Sequence, residues 1–192
     1  MVTGVDLVKE QIRVASGKRL SFQQSDIVFK GHAIEARLYA ENPNNDFLPE
    51  TGTIANLSFS NSANIRWDIG IKKGDKVTPD FDPMLAKVIS FSETREESAK
   101  ILSKELKSIH LPGVITNKDF LIGCLENKSF LSGKTTSDFI EREYKKLFPQ
   151  KDKGNIDRCI KAIVAWLQFY QKTYNSNLNF LPRNWTNGIL PE

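Results

Sequence analysis

Cysteine and histidine are scarce, two of each in 192 residues, and the scarcity excludes several kinds of protein. Cys124 and Cys159 lie far apart, each within a helical pattern, and neither forms a Cys-x-x-Cys pair. Such spacing suits buried thiols in a reducing compartment better than a disulfide framework or a zinc site. His32 and His110 alone are too few for a histidine-based metal centre, so no metal site is expected. No apolar run approaches the ~20 residues that span a bilayer, and no secretory h-region opens the chain. A soluble intracellular protein with no membrane partner is the expectation. A concentrated basic block is missing too. Lys and Arg exceed Asp and Glu by 27 to 23, but the charges interleave, as in Arg95-Glu96-Glu97 and Glu141-Arg142-Glu143. That pattern reads as solvated surface, and no nucleic-acid partner is expected.

What is present is an ordinary globular balance, 40% hydrophobic and 26% charged, in a length that suits one cored domain with an appendage. Residues 3–17 read as a helix, with Thr3 and Asp6 as a capping box, Val8, Ile12 and Ala15 on one side, and Gly17 as its stop. A chain that opens directly into a helix suggests a fragment, or a chain whose partner half lies upstream. Residues 19–30 form a connector with an extended piece at Ile27–Phe29. A strand follows over Gly31–Glu41, then a long loop over Asn42–Gly52. Short strands are expected at Ile54–Phe59, Asn64–Asp68 and Gly74–Val77, and a buried one at Met84–Phe91. Thr94 and Glu97 then open a helix through Ile109, with Ala99, Leu102 and Leu106 as its stripe. Asn117 caps a second helix, containing Phe120, Leu121, Cys124 and Leu125, and Thr135–Phe148 gives a third. Beyond the polar stretch Gln150–Asn155, a strongly apolar helix is expected over Ile156–Tyr174, and then an irregular tail. The class is α+β: an antiparallel sheet with flanking helices, followed by an extra C-terminal helix.

The Gly31–Glu41 strand organises this pattern. Ile34, Ala36, Leu38 and Ala40 share one face, while Ala33, Glu35, Arg37 and Tyr39 share the other. An acid, a guanidinium and a phenol on one face form either a solvated surface or one wall of a site, and periodicity does not choose between them.

The ordered series of motifs resembles the C-terminal region of biotin carboxylase, the ATP-grasp component of biotin-dependent carboxylases. It comprises Thr3-Gly-Val-Asp-Leu-Val-Lys-Glu-Gln-Ile-Arg-Val-Ala-Ser-Gly17, Gly31-His-Ala-Ile-Glu-Ala-Arg-Leu-Tyr-Ala-Glu41, and Phe47-Leu-Pro49 with Thr51-Gly52. Ile65-Arg-Trp67, Phe81-Asp-Pro-Met-Leu-Ala-Lys87, Gly113-Val-Ile-Thr-Asn117 and Thr135-Thr-Ser-Asp-Phe-Ile140 complete it. A match of this length escapes the chance risk of a short motif. The resemblance implies three segments: residues 1–30 as the end of an ATP-grasp region, 31–148 as the C-terminal domain, and 149–192 as a linker helix and tail. That last stretch resembles the start of the linker in longer acyl-CoA carboxylase α-subunits, which leads toward a biotinyl domain.

The resemblance also assigns roles. Arg37 matches the arginine beside biotin and bicarbonate, where a permanent planar cation can stabilise negative charge on the ureido oxygen. In the family, bicarbonate attacks ATP, the resulting carboxyphosphate yields CO2 and phosphate, and the phosphate takes the ureido proton. Glu35 either orients Arg37 or is a solvated acid. Asp82 falls in a stretch near the active site and subunit contact, with a structural role favoured over a catalytic one. Arg66 falls at the homodimer interface, its plainer alternative being a cross-strand salt bridge. Ser137 and Asp138 fall in the segment that approaches adenine, but they differ from the usual residues there, and a helix N-cap is the plainer reading. His32 reads as structural, and His110 as a basic residue suited to a helix C-terminus.

The implied cofactors are biotin on a carrier domain, and ATP with Mg or Mn held mainly by a glycine-rich loop and glutamates that these 192 residues do not contain. The implied partners are the ATP-grasp half, the biotin carboxyl carrier, the carboxyltransferase and a second copy. The implied location is the cytoplasm, or the mitochondrial matrix in a eukaryote. The chain by itself is expected to lack ATP-dependent carboxylation activity. The rival reading is a non-catalytic scaffold that docks to an ATP-grasp partner.

Overall fold

A computed structural model describes residues 1–60, 62–147 and 160–167. The chain divides into two units, Met1–Pro149 and Gln150–Glu192. In the second unit residues 160–167 are helical, with Ile160, Ile163 and Trp166 exposed. The rest of the expected Ile156–Tyr174 helix, the linker before it, the tail and Cys159 lie outside the described residues.

The first unit is built on three strands: β1 (His32–Tyr39), β5 (Ile65–Ile69) and β7 (Met84–Ser92). They pair antiparallel in the order β1-β7-β5, so β7 is central and β1 is an edge. Between them lie two short ribbons. β2 (Glu41–Asn42) pairs with β3 (Leu48–Pro49), and β4 (Gly52–Thr53) pairs with β6 (Lys76–Val77). The alternation in β1 sends Ile34, Ala36 and Leu38 inward, where they meet Ala86 and Val88 of β7. Helix α2 (Arg95–Ser108) lies against all three strands and seals that face with Ala99, Leu102 and Leu106, each fully buried. Burying a leucine contributes ~1.5–3 kcal/mol, so Leu102 and Leu106 anchor the layer. Helix α3 (Lys118–Glu126) packs on α2, with short α4 (Lys128–Leu131) beside it, and α5 (Phe139–Leu147) packs on α3. The outcome is the expected α+β class.

Helix α2 begins as the sequence predicts, with Thr94 Oγ1 accepting from the Glu97 N–H at 3.2 Å. The reciprocal half of the capping box is absent, because Glu97 turns to the Ser92 hydroxyl instead.

Several expectations are corrected. The first helix, α1, spans only Leu7–Ala15, because Gly4 at φ +70° keeps the preceding residues out of helical geometry. Asp6 is its cap, accepting from the Lys9 N–H at 3.0 Å. Its expected apolar side does not pack in this unit: Val8 and Ile12 are exposed, and the buried residue is Glu10, which accepts from Ser21 N and Oγ. The connector holds a 3-10 turn over Gln24–Asp26, after which Ile27 is extended, as expected, without joining a sheet. The loop Asn42–Gly52 folds back on itself through the β2–β3 ribbon. Asp46 and Phe47 both adopt left-handed φ there, 48° and 56°, without the glycine that would signal such a turn. Ile54–Phe59 finds no strand partner. Its backbone is tied piecemeal, Ile54 to Asp75 and Ser58 to His110. His110 therefore serves through its main chain, beyond the end of α2, and not as a helix-terminal charge.

Candidate functional site

Opposite the buried face, the sheet carries charge in register. Arg37 of β1 stands across from Lys87 of β7, which stands across from Asp68 of β5. One row along, Glu35, Ile89 and Arg66 align in the same way. Side chains two apart on a strand share a face, and ion pairs run along the strands. Arg37 Nε donates to Glu35 Oε1 at 2.9 Å. Arg66 donates through Nε and Nη2 to the two oxygens of Asp68 at 2.9 and 3.1 Å. Lys87 Nζ meets Asp68 Oδ2 across the strands at 3.0 Å. The cross-strand bridge expected of Arg66 is thus made by Lys87, and Arg66 pairs within its own strand.

The Arg37 side chain is 59% exposed. Glu35, and after it Tyr39, favour the charged guanidinium and hold its pKa above even the usual high value. Arg37 is accordingly a fixed cation with one edge steered by Glu35 and the bulk of the group presented to solvent. The Asp68 carboxyl is held below the usual range by Arg66 first and Lys87 second.

The strand that carries Arg37 is secured from an unexpected direction. Asn117 precedes α3 but makes no side-chain capping bond. Its Oδ1 accepts from the Tyr39 N–H at 3.0 Å, and its Nδ2 donates to the Arg37 carbonyl at 3.2 Å. Its own N–H donates to the Tyr39 carbonyl at 3.1 Å. As an edge strand, β1 has main-chain groups pointing away from β7, and these take up the amide that would otherwise cap the helix.

Asp82 lies in the turn that leads into β7. Its Oδ1 accepts from the Met84 N–H at 2.9 Å, and Pro83 accepts from the Ala40 N–H at 2.9 Å, so the turn fastens the start of β7 to the end of β1. Burial first, and the Asp82 charge second, push the Glu41 carboxyl upward. Ser137 and Asp138 are exposed at the start of α5. Asp138 bonds the Thr136 hydroxyl and the Arg142 guanidinium, the latter at 2.8 Å, and Thr136 first holds its carboxyl below the usual range. The expected helix Thr135–Phe148 starts only at Phe139, with the Asp138 side chain paired to Arg142. Among the described residues α5 packs on α3 and makes no contact with β1. His32 Nε2 lies 3.2 Å from Arg95 Nη1. Among the described residues no cluster of His, Cys, Asp and Glu could hold a metal, and no helix is long and apolar enough to cross a membrane.

Sequence reading missed Lys87 and Asn117. Lys87 carried a signal, since alternation along β7 puts it on the polar face. Asn117 carried none, because its partners lie about eighty residues away in the chain.

Comparison with known proteins bears on this geometry. The family described as biotin carboxylase C-terminal domain matches residues 35–142. Biotin carboxylase 2 of Bacillus subtilis is 40% identical over 141 residues, covering 73% of this chain and 32% of that protein. The mitochondrial methylcrotonoyl-CoA carboxylase subunit alpha of Rattus norvegicus is 37% identical over 150 residues, covering 78% of this chain and 21% of the relative. Among solved structures, the biotin carboxylase domain dimer of Hydrogenobacter thermophilus 2-oxoglutarate carboxylase, in complex with MgADP, ADP and bicarbonate, superposes with a TM-score of 0.75 at 35% identity. That match covers 79% of this chain and 33% of the other. The chain spans between a fifth and about a third of the curated relatives it matches.

Proposed function

The chain belongs to the biotin carboxylase C-terminal domain family, and we propose that it forms the C-terminal part of a biotin carboxylase that uses ATP and bicarbonate to carboxylate biotin on its carrier. Residues 1–30 would close the ATP-grasp region, 31–148 form the C-terminal domain, and 149–192 lead toward a biotinyl region. The parent enzyme would be an acyl-CoA carboxylase or a related biotin-dependent carboxylase, in the cytoplasm or, in a eukaryote, the mitochondrial matrix.

The observation that carries this reading is the presentation of Arg37: a guanidinium on the exposed face of an edge strand, steered by Glu35 at 2.9 Å. Biotin, when bound, supplies the ureido nitrogen that accepts the carboxyl group. The donor set fits such a group, because the guanidinium offers planar N–H donors to a ureido oxygen or to bicarbonate. Arg37 holds a positive charge where negative charge develops and requires no proton transfer to do so. Glu35 fixes its tilt through Nε, with Tyr39 beside it on the same face of the strand. Lys87 across the strand adds to the positive field and is itself restrained by Asp68. The fit to a metal ion is poor among the described residues, with no cluster of His, Cys, Asp and Glu to hold one and with Asp138 paired to Arg142. Binding of ATP and Mg or Mn is therefore assigned to an ATP-grasp partner half, and no step is routed through this chain's own carboxylates. Arg66, on the other edge strand, would serve a homodimer surface.

Supplying the ATP-grasp half in trans tests the reading. The 192-residue chain alone should give no bicarbonate-dependent ATP hydrolysis with free biotin, and the two halves together should. Arg37→Ala should cost ~100- to 1000-fold in turnover, the scale of removing one preorganised charge-stabilising donor. Equal rescue by wild-type and Arg37→Ala chains would instead favour a non-catalytic docking scaffold.

A further inference from the structure

We infer that Asn117 is a positioning residue for Arg37, a side chain from the α3 end of the domain that fixes where the guanidinium stands. The inference rests on the reading of Arg37 as the reaction-facing cation. Three hydrogen bonds converge on Arg37 and Tyr39 near the end of β1: Tyr39 N–H to Asn117 Oδ1, Asn117 Nδ2 to the Arg37 carbonyl, and Asn117 N–H to the Tyr39 carbonyl. Their placement matters because the β1–β7 ladder changes register between Leu38 and Tyr39. One residue past Arg37 the ladder slips by a residue of β7 before it resumes at Tyr39–Met84, and an edge strand has no neighbouring strand on its other side to brace the irregularity. Asn117, 5% exposed, provides that brace.

The asparagine is itself held firmly. The loop before it passes Gly113, whose φ of +108° and close approach to the β4 backbone leave no room for a side chain: a Cβ there would lie 1.9 Å from the Thr53 carbonyl oxygen. A Cβ on Gly52 would lie 2.1 Å from the Gly113 oxygen, so the two backbones pin each other. The Ala55 N–H adds a bond to the Pro112 carbonyl at 3.0 Å. The restraint therefore runs from the β4 ribbon through Gly113 to Asn117 and onto the carbonyl of the residue that carries the guanidinium. A ~1 Å misplacement of a catalytic group can cost on the order of 100-fold in rate, so such a restraint has something to protect.

The test is a double-mutant cycle in the complex of this chain with its ATP-grasp half, measured as carboxylation of free biotin. Asn117→Ala removes both side-chain bonds and should lower kcat ~10-fold with the KM for ATP unchanged. Asn117→Asp keeps the acceptor for Tyr39 but sets an oxygen against the Arg37 carbonyl, and its loss should be intermediate. Because Asn117 acts through Arg37, the Arg37→Ala/Asn117→Ala double variant should match Arg37→Ala within about 2-fold. A general loss of folded protein would multiply instead, so a further ~10-fold drop in the double variant overturns the inference. Wild-type turnover in Asn117→Ala also overturns it. If Asn117→Ala does not fold, Asn117→Asp carries the same cycle. An inert Arg37→Ala defeats the reading of Arg37 itself, a pattern distinct from a damaging Arg37→Ala beside an inert Asn117→Ala.

Discussion

Arg37 and Lys87, two cations, stand directly opposite one another across the β1–β7 pair, and each is drawn toward a different acid: Arg37 to Glu35 at 2.9 Å, Lys87 to Asp68 at 3.0 Å. Like charges facing across a sheet are destabilising, so the two carboxylates are what make the arrangement tolerable. Asp68 has the larger share, since it also binds Arg66 through two hydrogen bonds.

Asp68→Asn should therefore cost about 1 kcal/mol at neutral pH and low salt, because it leaves Lys87 and Arg66 without their shared counter-charge. Urea unfolding in 1 M NaCl should shrink that penalty to less than half, as screening shortens to ~3 Å. The Asp68 carboxyl is depressed in the folded state. Its contribution is thus present above the ordinary carboxylate range and disappears as pH falls through the lower folded value, where wild type and variant should converge. A salt-independent penalty would refute the charge argument.

Glu41 has the opposite sign. Burial and Asp82 raise its carboxyl, so the folded state binds the proton more readily than the unfolded chain. Stability should rise as pH falls through the raised folded value, and at pH 7 the ionised carboxylate is a cost. Glu41→Gln should stabilise the protein at pH 7, by up to about 1 kcal/mol, and confer no advantage near pH 4. Unfolding curves at the two pH values decide it, and equal gains at both would count against the assignment.

Cys124 should be inert. Burial pushes its thiol up to about 11, and the thiolate is the reactive form. With Cys159 replaced by serine, alkylation by iodoacetamide at pH 8 should be on the order of 100-fold slower in the native chain than in urea. Comparable rates would show that the thiol is not shielded.

Gly113→Ala should be among the more damaging single-methyl changes. A left-handed φ costs a non-glycine residue ~1–3 kcal/mol, and here the methyl also meets the Thr53 carbonyl. The loss should exceed about 2 kcal/mol by thermal or urea unfolding. Ala at Gly74, which also has positive φ but open space around it, should cost clearly less.

The regular part of the fold was legible because it repeats. β1 and β7 show in their alternation, and α2 in its leucine stripe and Thr94 cap. Arg37 and Glu35 were placed on the correct face by the same period of two. What escaped prediction depends on partners remote in sequence. Asp46 and Phe47 take left-handed φ without a glycine to signal it, and Ile54–Phe59 has strand-like residues but pairs piecemeal, with Asp75, Pro112 and His110 in place of a neighbouring strand. Asn117 had the identity and position of a helix cap, and only the free edge of β1 shows why its amide is used elsewhere. Val8 and Ile12 have a genuine helical stripe, but nothing in the described first unit covers them.

The Gly113–Asn117 loop works as a spacer of set length. One end is clamped at the glycine pair, the other delivers an amide to a strand edge, and each bond at that end tolerates only a few tenths of an ångström. One residue more or less displaces the chain by up to ~3.3–3.6 Å, beyond any hydrogen bond. Substitutions between the two ends are therefore open to drift, while insertions and deletions are closed to it. Natural variation in this stretch should appear as changes of residue at constant count.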